Sequence, residues 1–547
     1  AIPAVKVADT KFNLIETEKQ ITVADGQGVE IIVFPELSMT GYTCQDLFQQ
    51  QLLLDDTEQA VIELLEFTRK LDITVIVGAP VAVGALLLNC ALVIQQGKLL
   101  GIVAKTFLPN YSEFYEKRWF ASSQDLRPQH ILFAGNNILV TPELQIFRTS
   151  EGATFAIEIC EDVWAPTPPS NHLALAGAEI IFNLSTSDEL IGKHAYLKSL
   201  LAQQSARTIS GYVYSSSGFG ESTQDVAFGG NALIFENGSL VKQSERFQLD
   251  PQLVISEIDV ENLRGERRTN STFVNAQRPV AAGLAGITGQ IGELALHVDC
   301  LPPLNPREFT LTREFDQHPF IPKSENMQEA CDEIYNIQVS GLAKRLVHTD
   351  CKSAIIGISG GLDSTLALLV VVKTFDKLGL DRKGIVGVTM PGFGTTGRTY
   401  KNAMALMENL GITIREIDIK ASVLQHFEDI GHDPEVHDST YENAQARERT
   451  QILMDLSNQM NGLVIGTGDL SELALGWCTY NGDHMSMYAV NAGVPKTLTQ
   501  YLVRYAADTT KDENVRQILT DIVETPISPE LKPADAKGDI AQKTEDL

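Results

Sequence analysis

The sequence predicts an α/β protein built from two domains. Its 547 residues exceed the size of an ordinary single domain. Short β-branched runs, such as residues 31–34 and 155–159, alternate with helical patterns between turn signals. A second α/β unit opens with a helical pattern over residues 327–348 and continues into an apolar strand over residues 353–358. This alternation predicts helices packed on sheets and, in the second unit, a doubly wound parallel sheet.

Composition shifts divide the chain into three regions. We expect a first domain over residues 1–260 and a second over residues 326–547. Prolines and glycines break every periodicity in residues 261–325, which predicts an interdomain connector. The chain begins without Met, and residues 21–28 look too short and irregular for a clean crossover helix. We therefore expect that segments are missing from the chain.

Charge and composition restrict the function classes. The formal net charge of −27 argues against a nucleic-acid partner, because a phosphate backbone requires a basic surface. No apolar run approaches the ~18 residues of a membrane helix, and no signal peptide is visible, so we expect no membrane partner. The seven cysteines lack metal-ligand spacing and predict neither a zinc site nor a disulfide framework. These features predict a cytoplasmic location.

The most informative stretch lies between the apolar strand 353–358 and a following helix. Its sequence is Ser-Gly-Gly-Leu-Asp-Ser, residues 359–364. A glycine-rich turn between strand and helix directs backbone N–H groups into one concavity that suits a phosphate. The lysine of a Walker A loop is absent, and Asp363 instead places a carboxylate where Mg²⁺ could bridge to the phosphates. The alternative is a turn that merely closes a βα unit.

Two later segments add candidates for the same site. A strand ending at Ile465 leads into a turn over residues 466–472, in which Glu472 could complete a Mg²⁺ shell with Asp363. The alternative is a helix N-cap cluster centred on Ser471. The preceding helical pattern carries Asn443, Arg447 and Arg449. Because the two arginines are two positions apart, they face different directions, and we expect only one of them to reach a phosphate or carboxylate.

In the first domain, three apolar strands each end at a reactive side chain. These residues are Glu36, Lys105 and Cys160. Ligands of α/β sheets collect at the carboxyl ends of strands, so the three side chains are predicted to converge. A thiolate is a nucleophile, a carboxylate can accept its proton, and an ammonium can stabilise an oxyanion. Taken singly, each residue is more simply a core thiol or a solvated charge.

The surrounding motifs resemble the nitrilase-type carbon–nitrogen hydrolase family. They are Phe-Pro-Glu-Leu-Ser at 34–38, Ile-Cys-Glu-Asp at 159–162 and Leu-Pro-Asn-Tyr at 108–111. The resemblance implies an α-β-β-α sandwich in which Glu36 is the general base, Lys105 stabilises the tetrahedral intermediate and Cys160 forms a thioester. In the glutamine-specific branch, Tyr111, Ser187 and Lys193 would contact glutamine. A second active-site carboxylate is expected beside Lys105, either Glu116, which we prefer, or Glu113.

The second domain resembles the ammonia-transferring half of the glutamine-dependent NAD synthetase family. The matching motifs lie at residues 357–365, 390–393, 443–447, 466–472 and 476–485. The resemblance implies that ATP is bound by Gly357, Ile358, Ser359, Gly360, Gly361, Leu362, Asp363, Ser364 and Thr467. It implies Mg²⁺ ligation by Asp363 and Glu472, and contacts to deamido-NAD from Asn443, Arg447, Glu472 and Trp477. In the long-chain branch, a C-terminal continuation would supply a further substrate-binding lysine.

The two resemblances together imply ATP-dependent amidation of deamido-NAD with ammonia released from glutamine. The expected partners are therefore small molecules, and the family's long-chain members lead us to expect a homo-oligomer. Two competing hypotheses remain at this stage. One is a different ATP-pyrophosphatase amidotransferase, acting on a nucleotide base or on tRNA. The other is a non-catalytic binding protein with decayed sites.

Overall fold

A computed structural model describes residues 1–277, 295–304, 309–322, 326–393 and 397–525. The chain forms two compact units, Ala1–Glu314 and Phe315–Leu547. Each unit has its own sheets and its own buried cores.

Unit 1 contains two large sheets, and their central strands are buried over nearly their whole length. The first sheet has the order β1-β2-β3-β4, with β1 and β2 parallel and the later pairs antiparallel. Its strands are β1 Ile31–Val33, β2 Thr74–Val83, β3 Leu86–Gln95 and β4 Lys98–Ala104. The second sheet has the order β12-β11-β10-β9-β8-β7-β13. Its strands are β7 Gln145–Arg148, β8 Thr154–Ile159, β9 Ile180–Ser185, β10 Gly211–Ser216, β11 Ala232–Glu236, β12 Ser239–Gln243 and β13 Leu296–Asp299. A separate hairpin joins β5 Gln129–Phe133 to β6 Asn136–Val140.

The two sheets pack face to face, with helices covering their outer faces. One core joins Ile76 and Val93 of the first sheet to Phe155 and Phe182 of the second. A second core lies between the first sheet and helices α1 Thr10–Gly26 and α2 Gln51–Thr68. A third lies between the second sheet and helices α3 Pro169–Leu175 and α4 Lys193–Thr208. This is the α-β-β-α sandwich that the sequence resemblance implied.

Two local expectations for unit 1 differ from the structure. Residues 21–26 end the seventeen-residue helix α1, so the expectation that no clean helix forms there is wrong. Asp9 begins this helix, because its side chain accepts a hydrogen bond from the N–H of Phe12. Part of the predicted connector also belongs to unit 1. Helix α5 Val260–Thr269 packs on its surface through Leu263, and β13 pairs with β7 at the edge of the second sheet.

Unit 2 contains a five-stranded sheet with the order β16-β15-β14-β17-β18, and every strand pair in it is parallel. Its strands are β14 Ala354–Gly357, β15 Ile385–Thr389, β16 Thr413–Glu416, β17 Leu463–Gly466 and β18 Tyr488–Ala489. The chain reverses its direction of strand addition between β14 and β17. In open parallel sheets, ligands bind at such a switch point, beyond the carboxyl ends of the strands. The predicted doubly wound sheet is confirmed.

Helices cover both faces of this sheet. They are α6 Met327–Thr349, α7 Leu362–Leu378, α8 Gly397–Leu410, α9 Lys420–Ile430, α10 Ser439–Met460, α11 Leu470–Leu475, α12 Lys496–Thr509 and α13 Glu513–Val523. Helix α7 is apolar and buried over most of its length, and it lies in the larger core with α6, α12 and α13. Helices α9 and α10 contribute to the core on the other face. Across the described residues, no helix has the length and apolar character needed to cross a membrane.

Candidate active sites

In unit 1, Lys105 lies at the centre of a buried charge cluster. Its ammonium is 2.6 Å from Glu36 Oε1 and 2.8 Å from Glu116 Oε1. All three side chains are almost completely shielded from solvent. Glu36 follows β1 and Lys105 follows β4, as the sequence predicted. Of the two candidate carboxylates near Lys105, it is Glu116 that contacts the ammonium.

Cys160 follows β8, a strand of the second sheet. It begins a short 3₁₀ helix, Cys160–Trp164, directly after β8. Its backbone has φ = 44°, a left-handed conformation that is uncommon for a residue with a side chain. Its thiol is buried, and the charges of Glu36, Lys105 and Glu116 all act on it. The predicted convergence of Glu36, Lys105 and Cys160 is therefore present in the structure.

Burial and charge determine the protonation of this cluster. Burial raises the pKa of the Cys160 thiol, and the Glu36 carboxylate raises it further. Burial alone would lower the pKa of Lys105, but Glu116 and Glu36 raise it well above its usual value. Burial raises the pKa of Glu116 to about 7, with Lys105 opposing and Glu36 reinforcing the shift. The resting site therefore holds a protonated thiol beside a charged ammonium.

We expect the glutaminase activity, measured as kcat/KM, to rise with pH through an apparent pKa near 7, about the value for Glu116. Below that pH Glu116 is neutral, so Lys105 is balanced by Glu36 alone. In the part of the chain that the structure describes, the Glu36 carboxylate, which must accept the thiol proton, is then the only negative charge that Lys105 contacts. Glu116→Gln is expected to remove this rise of kcat/KM with pH, the acid limb of the profile. It should also lower the maximal kcat/KM, reached at higher pH, about tenfold or more.

Glutamate release measured from pH 5.5 to 9 tests this expectation. Glu113→Gln is the matched control, because Glu113 lies on the same loop but lines a surface pocket with Tyr115 and Trp119. The control should keep the acid limb. Loss of the limb in Glu113→Gln, with an unchanged profile in Glu116→Gln, would assign the second carboxylate to Glu113 instead.

The predicted glutamine contacts surround this cluster. The Tyr111 hydroxyl donates a hydrogen bond to Glu161 Oε1 at 2.7 Å, and the Tyr111 ring lies edge-on to Phe114. The Lys193 ammonium pairs with Asp188 and lies 5.5 Å from the centre of the Phe114 ring. Ser187 is buried, and its N–H donates to Ser216 Oγ. Tyr111 and Lys193 thus both lie beside Phe114.

In unit 2, the glycine-rich loop links β14 to the N-terminus of α7. The Ser359 hydroxyl accepts a hydrogen bond from the Gly361 N–H at 3.2 Å, and Ser364 Oγ lies 3.1 Å from Ser359 Oγ. Gly360 has φ = 87°, and a Cβ there would lie 2.1 Å from the Thr399 carbonyl oxygen. Position 360 therefore requires glycine for both its conformation and its space.

Gly360→Ala is expected to destabilise unit 2 by about 2 kcal/mol or more, because the methyl group meets backbone in a left-handed conformation. Gly361→Ala is the matched control. Its Cβ would meet only Ser359 Oγ, at an ordinary 3.4 Å. Thermal unfolding of both variants without nucleotide provides the comparison. Equal melting temperatures for the two variants would contradict the steric explanation.

Three carboxylates meet beside this loop. Oxygen atoms of Asp363, Asp469 and Glu472 all lie within 4.8 Å of one another. The Lys496 ammonium lies among them, 2.7 Å from Asp363, 2.7 Å from Asp469 and 2.9 Å from Glu472. Burial raises the pKa of Asp363 to about 6, Lys496 opposes this shift, and Glu472 and Asp469 add to it. Burial alone would lower the pKa of Lys496, but Asp363 and the other two carboxylates raise it above the usual value.

Of the remaining predicted residues of unit 2, Asn443 and Arg447 lie on helix α10, and Trp477 lies in the loop after α11. Asn443 Oδ1 accepts a hydrogen bond from the Thr479 hydroxyl at 2.7 Å. Arg447 donates to the Tyr480 carbonyl, whereas Arg449 donates to the Met390 carbonyl, so the two arginines face different directions as expected. Trp477 is about half exposed, at 48%. The N-cap of α11 is Asp469 rather than Ser471, and Glu472 completes its capping box.

Several residues of both sites escaped the sequence prediction. Asn89 and Thr186 both donate hydrogen bonds to Glu36, and the Tyr42 hydroxyl donates to Glu116 Oε1 at 2.7 Å. In unit 2 the missed residues are Asp469 and Lys496. Lys496 occupies the first turn of α12, where a positive charge opposes the helix dipole. A lysine at this unfavourable position of a predicted helix could have indicated that Lys496 has a carboxylate partner or a role in binding.

Comparisons with known proteins match both units of the chain. The carbon-nitrogen hydrolase family profile matches residues 2–268, and the NAD synthase profile matches residues 334–536. A glutamine-dependent NAD(+) synthetase of Mycobacterium leprae is 40% identical over 98% of this chain and 79% of its own length. The synthetase of Aquifex aeolicus is 30% identical over 96% of this chain and 83% of its own. A solved synthetase of Acinetobacter baumannii aligns with 95% of this chain and 84% of its own at 23% identity, with a TM-score of 0.40.

The molecule is thus an enzyme that fuses a carbon–nitrogen hydrolase unit to an NAD synthase unit. This order of units, together with 40% identity over nearly the full chain, determines the family. The chain belongs to the glutamine-dependent NAD(+) synthetases. It is a ligase of NAD biosynthesis that uses glutamine as nitrogen donor.

Proposed function

We propose that Cys160, Glu36 and Lys105 release ammonia from the side-chain amide of glutamine. The observation that carries this proposal is the buried cluster in which Lys105 joins Glu36 to Glu116 beside the Cys160 thiol. Because burial raises the pKa of the thiol, Glu36 accepts its proton as the sulfur attacks the amide carbon. Lys105 donates a hydrogen bond to the developing oxyanion. Glu36 then protonates the departing nitrogen, and water hydrolyses the thioester to glutamate.

The walls of this site supply the contacts for glutamine. Tyr111, Ser187 and Lys193 are assigned to the substrate, with Glu116 as the second carboxylate. Glutamine carries both an α-carboxylate and an α-ammonium group. Lys193 offers the positive charge for the first, and the Glu161 carboxylate held by Tyr111 offers a negative charge for the second.

In unit 2, ATP activates the acceptor for attack by ammonia. We assign ATP to the loop residues 357–364 and to Thr467. The Asn491 side-chain amide donates hydrogen bonds to the carbonyl oxygens of both Thr467 and Asp363, and so links the two segments. The nicotinate carboxylate of deamido-NAD attacks the α-phosphate, and pyrophosphate departs. Ammonia then displaces AMP and gives NAD. Asn443, Arg447, Glu472 and Trp477 are assigned to deamido-NAD.

We assign Mg²⁺ to the carboxylates of Asp363 and Glu472. The donor set fits, because Mg²⁺ prefers carboxylate and phosphate oxygens. Asp363 Oδ1 is buried and has no hydrogen-bond partner among the described residues, so it is available as a ligand. The chemistry that a bound ion would supply is neutralisation of charge on the departing pyrophosphate. Lys496 already holds the three carboxylates together and supplies a second positive charge at the same edge.

Removal of Mg²⁺ tests this assignment. With EDTA in excess we expect AMP and NAD formation to stop, whereas glutamate release persists at its basal rate, because the unit 1 cluster contains no role for a metal. Added Mg²⁺ should restore NAD formation. Full NAD formation in EDTA would contradict the assignment, and loss of basal glutaminase activity would show that the chelator acts elsewhere.

Two wider properties complete the proposal. We propose a cytoplasmic location, which is supported by seven cysteines that are all free thiols. We also propose a homo-oligomer, which is supported by exposed apolar side chains on and after α11. These include Leu473, Leu475 and Tyr480. Sedimentation of the purified chain tests the oligomeric state.

A further inference from the structure

The left-handed backbone of Cys160 requires a restraint, because this conformation is unfavourable for a residue with a side chain. The restraint is visible on the neighbouring strand β9. The Cys160 N–H donates a hydrogen bond to Asn183 Oδ1 at 3.1 Å, and Asn183 is completely buried. In the mechanism above, neither this N–H nor Asn183 has a role.

The orientation of the Asn183 amide is fixed by a chain of buried hydrogen bonds. Its Nδ2 donates to the Tyr212 hydroxyl at 3.1 Å, and that hydroxyl donates its single proton to Glu158 Oε1. Glu158 Oε2 accepts from the Ser170 N–H at 2.9 Å. The chain therefore begins at Cys160 and returns to Glu158, two residues earlier on β8. Asn183 and Tyr212 each accept from one neighbour and donate to the next, whereas Glu158 only accepts. A flipped Asn183 amide would direct its NH₂ group at the Cys160 N–H and lose this hydrogen bond.

A parallel arrangement holds the sulfur atom. The Ser185 hydroxyl donates to Cys160 Sγ at 3.2 Å. The Tyr214 hydroxyl lies 2.6 Å from Ser185 Oγ. Because Ser185 has one hydroxyl proton and directs it to the sulfur, the Tyr214 hydroxyl is the donor between these two oxygens. Ser185 and Tyr214 are also completely or almost completely buried.

The strand register explains why the two arrangements repeat. Asn183 and Ser185 are alternate residues of β9, and Tyr212 and Tyr214 are alternate residues of the parallel strand β10. Side chains two positions apart on a strand share a face. The intervening positions of β9, Phe182 and Leu184, pack toward the other sheet. Tyr212 and Tyr214 instead pack in the core that contains α3 and α4. The two polar pairs therefore form a lattice beneath Cys160.

We propose that this lattice prepares Cys160 for attack. Asn183 is a positioning residue that fixes the backbone of Cys160 through Tyr212 and Glu158, and Ser185 is the hydrogen-bond donor that stabilises the Cys160 thiolate. The inference rests on the assignment of Cys160 as the nucleophile. It adds five residues of unit 1 to those already assigned to catalysis, namely Asn183, Tyr212, Glu158, Ser185 and Tyr214.

The Asn183 half is tested with Asn183→Ala and with Tyr212→Phe, which removes only the hydroxyl that orients Asn183. Both variants should lower kcat for glutamine hydrolysis about tenfold and leave KM for glutamine unchanged. A tenfold fall in rate corresponds to the loss of one buried hydrogen bond in the transition state. The fraction of Cys160 that iodoacetamide alkylates, measured by peptide mass, should equal that of the unaltered enzyme. An unchanged kcat, or a fall fully explained by fewer reactive thiols, overturns the positioning role.

The Ser185 half predicts a different signature. Ser185→Ala should raise the pH of half-maximal Cys160 alkylation by about one unit, because the thiolate loses a donor. Asn183→Ala should leave that pH unchanged. Ser205→Ala is the control, because Ser205 is an equally buried serine of unit 1 whose hydroxyl donates to the Ser210 carbonyl. An alkylation profile in Ser185→Ala that matches the control overturns the donor role.

Failure of the underlying assignment gives a separate result. If alkylation of Cys160 in the unaltered enzyme leaves glutamine hydrolysis intact, Cys160 is not the nucleophile. The hydrogen-bonded residues around it then have no catalytic role. NAD formation from added ammonium salt, measured in every variant, reports the integrity of the second site. It should remain at the unaltered level in all of them.

Discussion

Cys160→Ala is expected to abolish NAD formation from glutamine and to preserve NAD formation from added ammonia. The substitution removes the sulfur that we propose forms the thioester, and removal of a catalytic nucleophile lowers turnover by about 10⁴-fold or more. The ATP site lies in a separate compact unit with its own sheet and cores. Its chemistry requires only ammonia, ATP and deamido-NAD. The measurement is NAD formed with each nitrogen donor in turn.

Cys90→Ala is the matched control for this experiment. Cys90 is a completely buried thiol of the same unit and lies in the core between the first sheet and its helices. It should lose some stability and retain glutamine use. If Cys160→Ala lost ammonia-dependent synthesis as well, the two activities would not be separable. Retention of glutamine use would exclude Cys160 as the nucleophile.

Asp363→Asn is expected to abolish NAD formation with either nitrogen donor and to leave basal glutamate release intact. The amide preserves the shape of the side chain but removes a negative charge beside Lys496, at the edge of the sheet that we assign to Mg²⁺ and the phosphates. Loss of a metal-binding carboxylate at a phosphoryl-transfer site costs about 10³-fold in rate. AMP formation with saturating ammonium salt measures the effect directly.

Asp376→Asn provides the control on the same helix. Asp376 lies near the end of α7 in an exposed ion pair with Arg382 at 2.6 Å, and such pairs contribute little to stability. AMP formation should be unchanged in this variant. Normal AMP formation in Asp363→Asn would exclude Asp363 from the metal and phosphate site.

The predictable parts of both sites are those that depend on position along one strand. Glu36, Lys105, Cys160 and the loop at residues 359–364 each follow an apolar strand, and the carboxyl end of a strand is where an α/β sheet binds its ligands. Local sequence is sufficient for such positions, because a strand and the turn after it are specified by neighbouring residues. The motifs around these residues also indicated the order of the two units.

The partners that complete each site come from distant parts of the chain. Lys496 contacts Asp363 across 133 positions, and Thr186 contacts Glu36 across 150. The edge strand β13 likewise joins a sheet whose neighbouring strand β7 lies far earlier in the chain. Sheet register and burial select such contacts, and no local periodicity encodes them.

The sequence by itself therefore determined the α/β class, the order of the two units and the reactive residue at each strand end. The tertiary structure decided which side chains surround them. It placed Glu116 rather than Glu113 on Lys105, and Lys496 among three carboxylates. It also placed Asn183 beneath Cys160. The physical reason is that the position of a reactive residue can be predicted from the strand that precedes it in the sequence. The residues that contact it come from other parts of the chain, which only folding brings close.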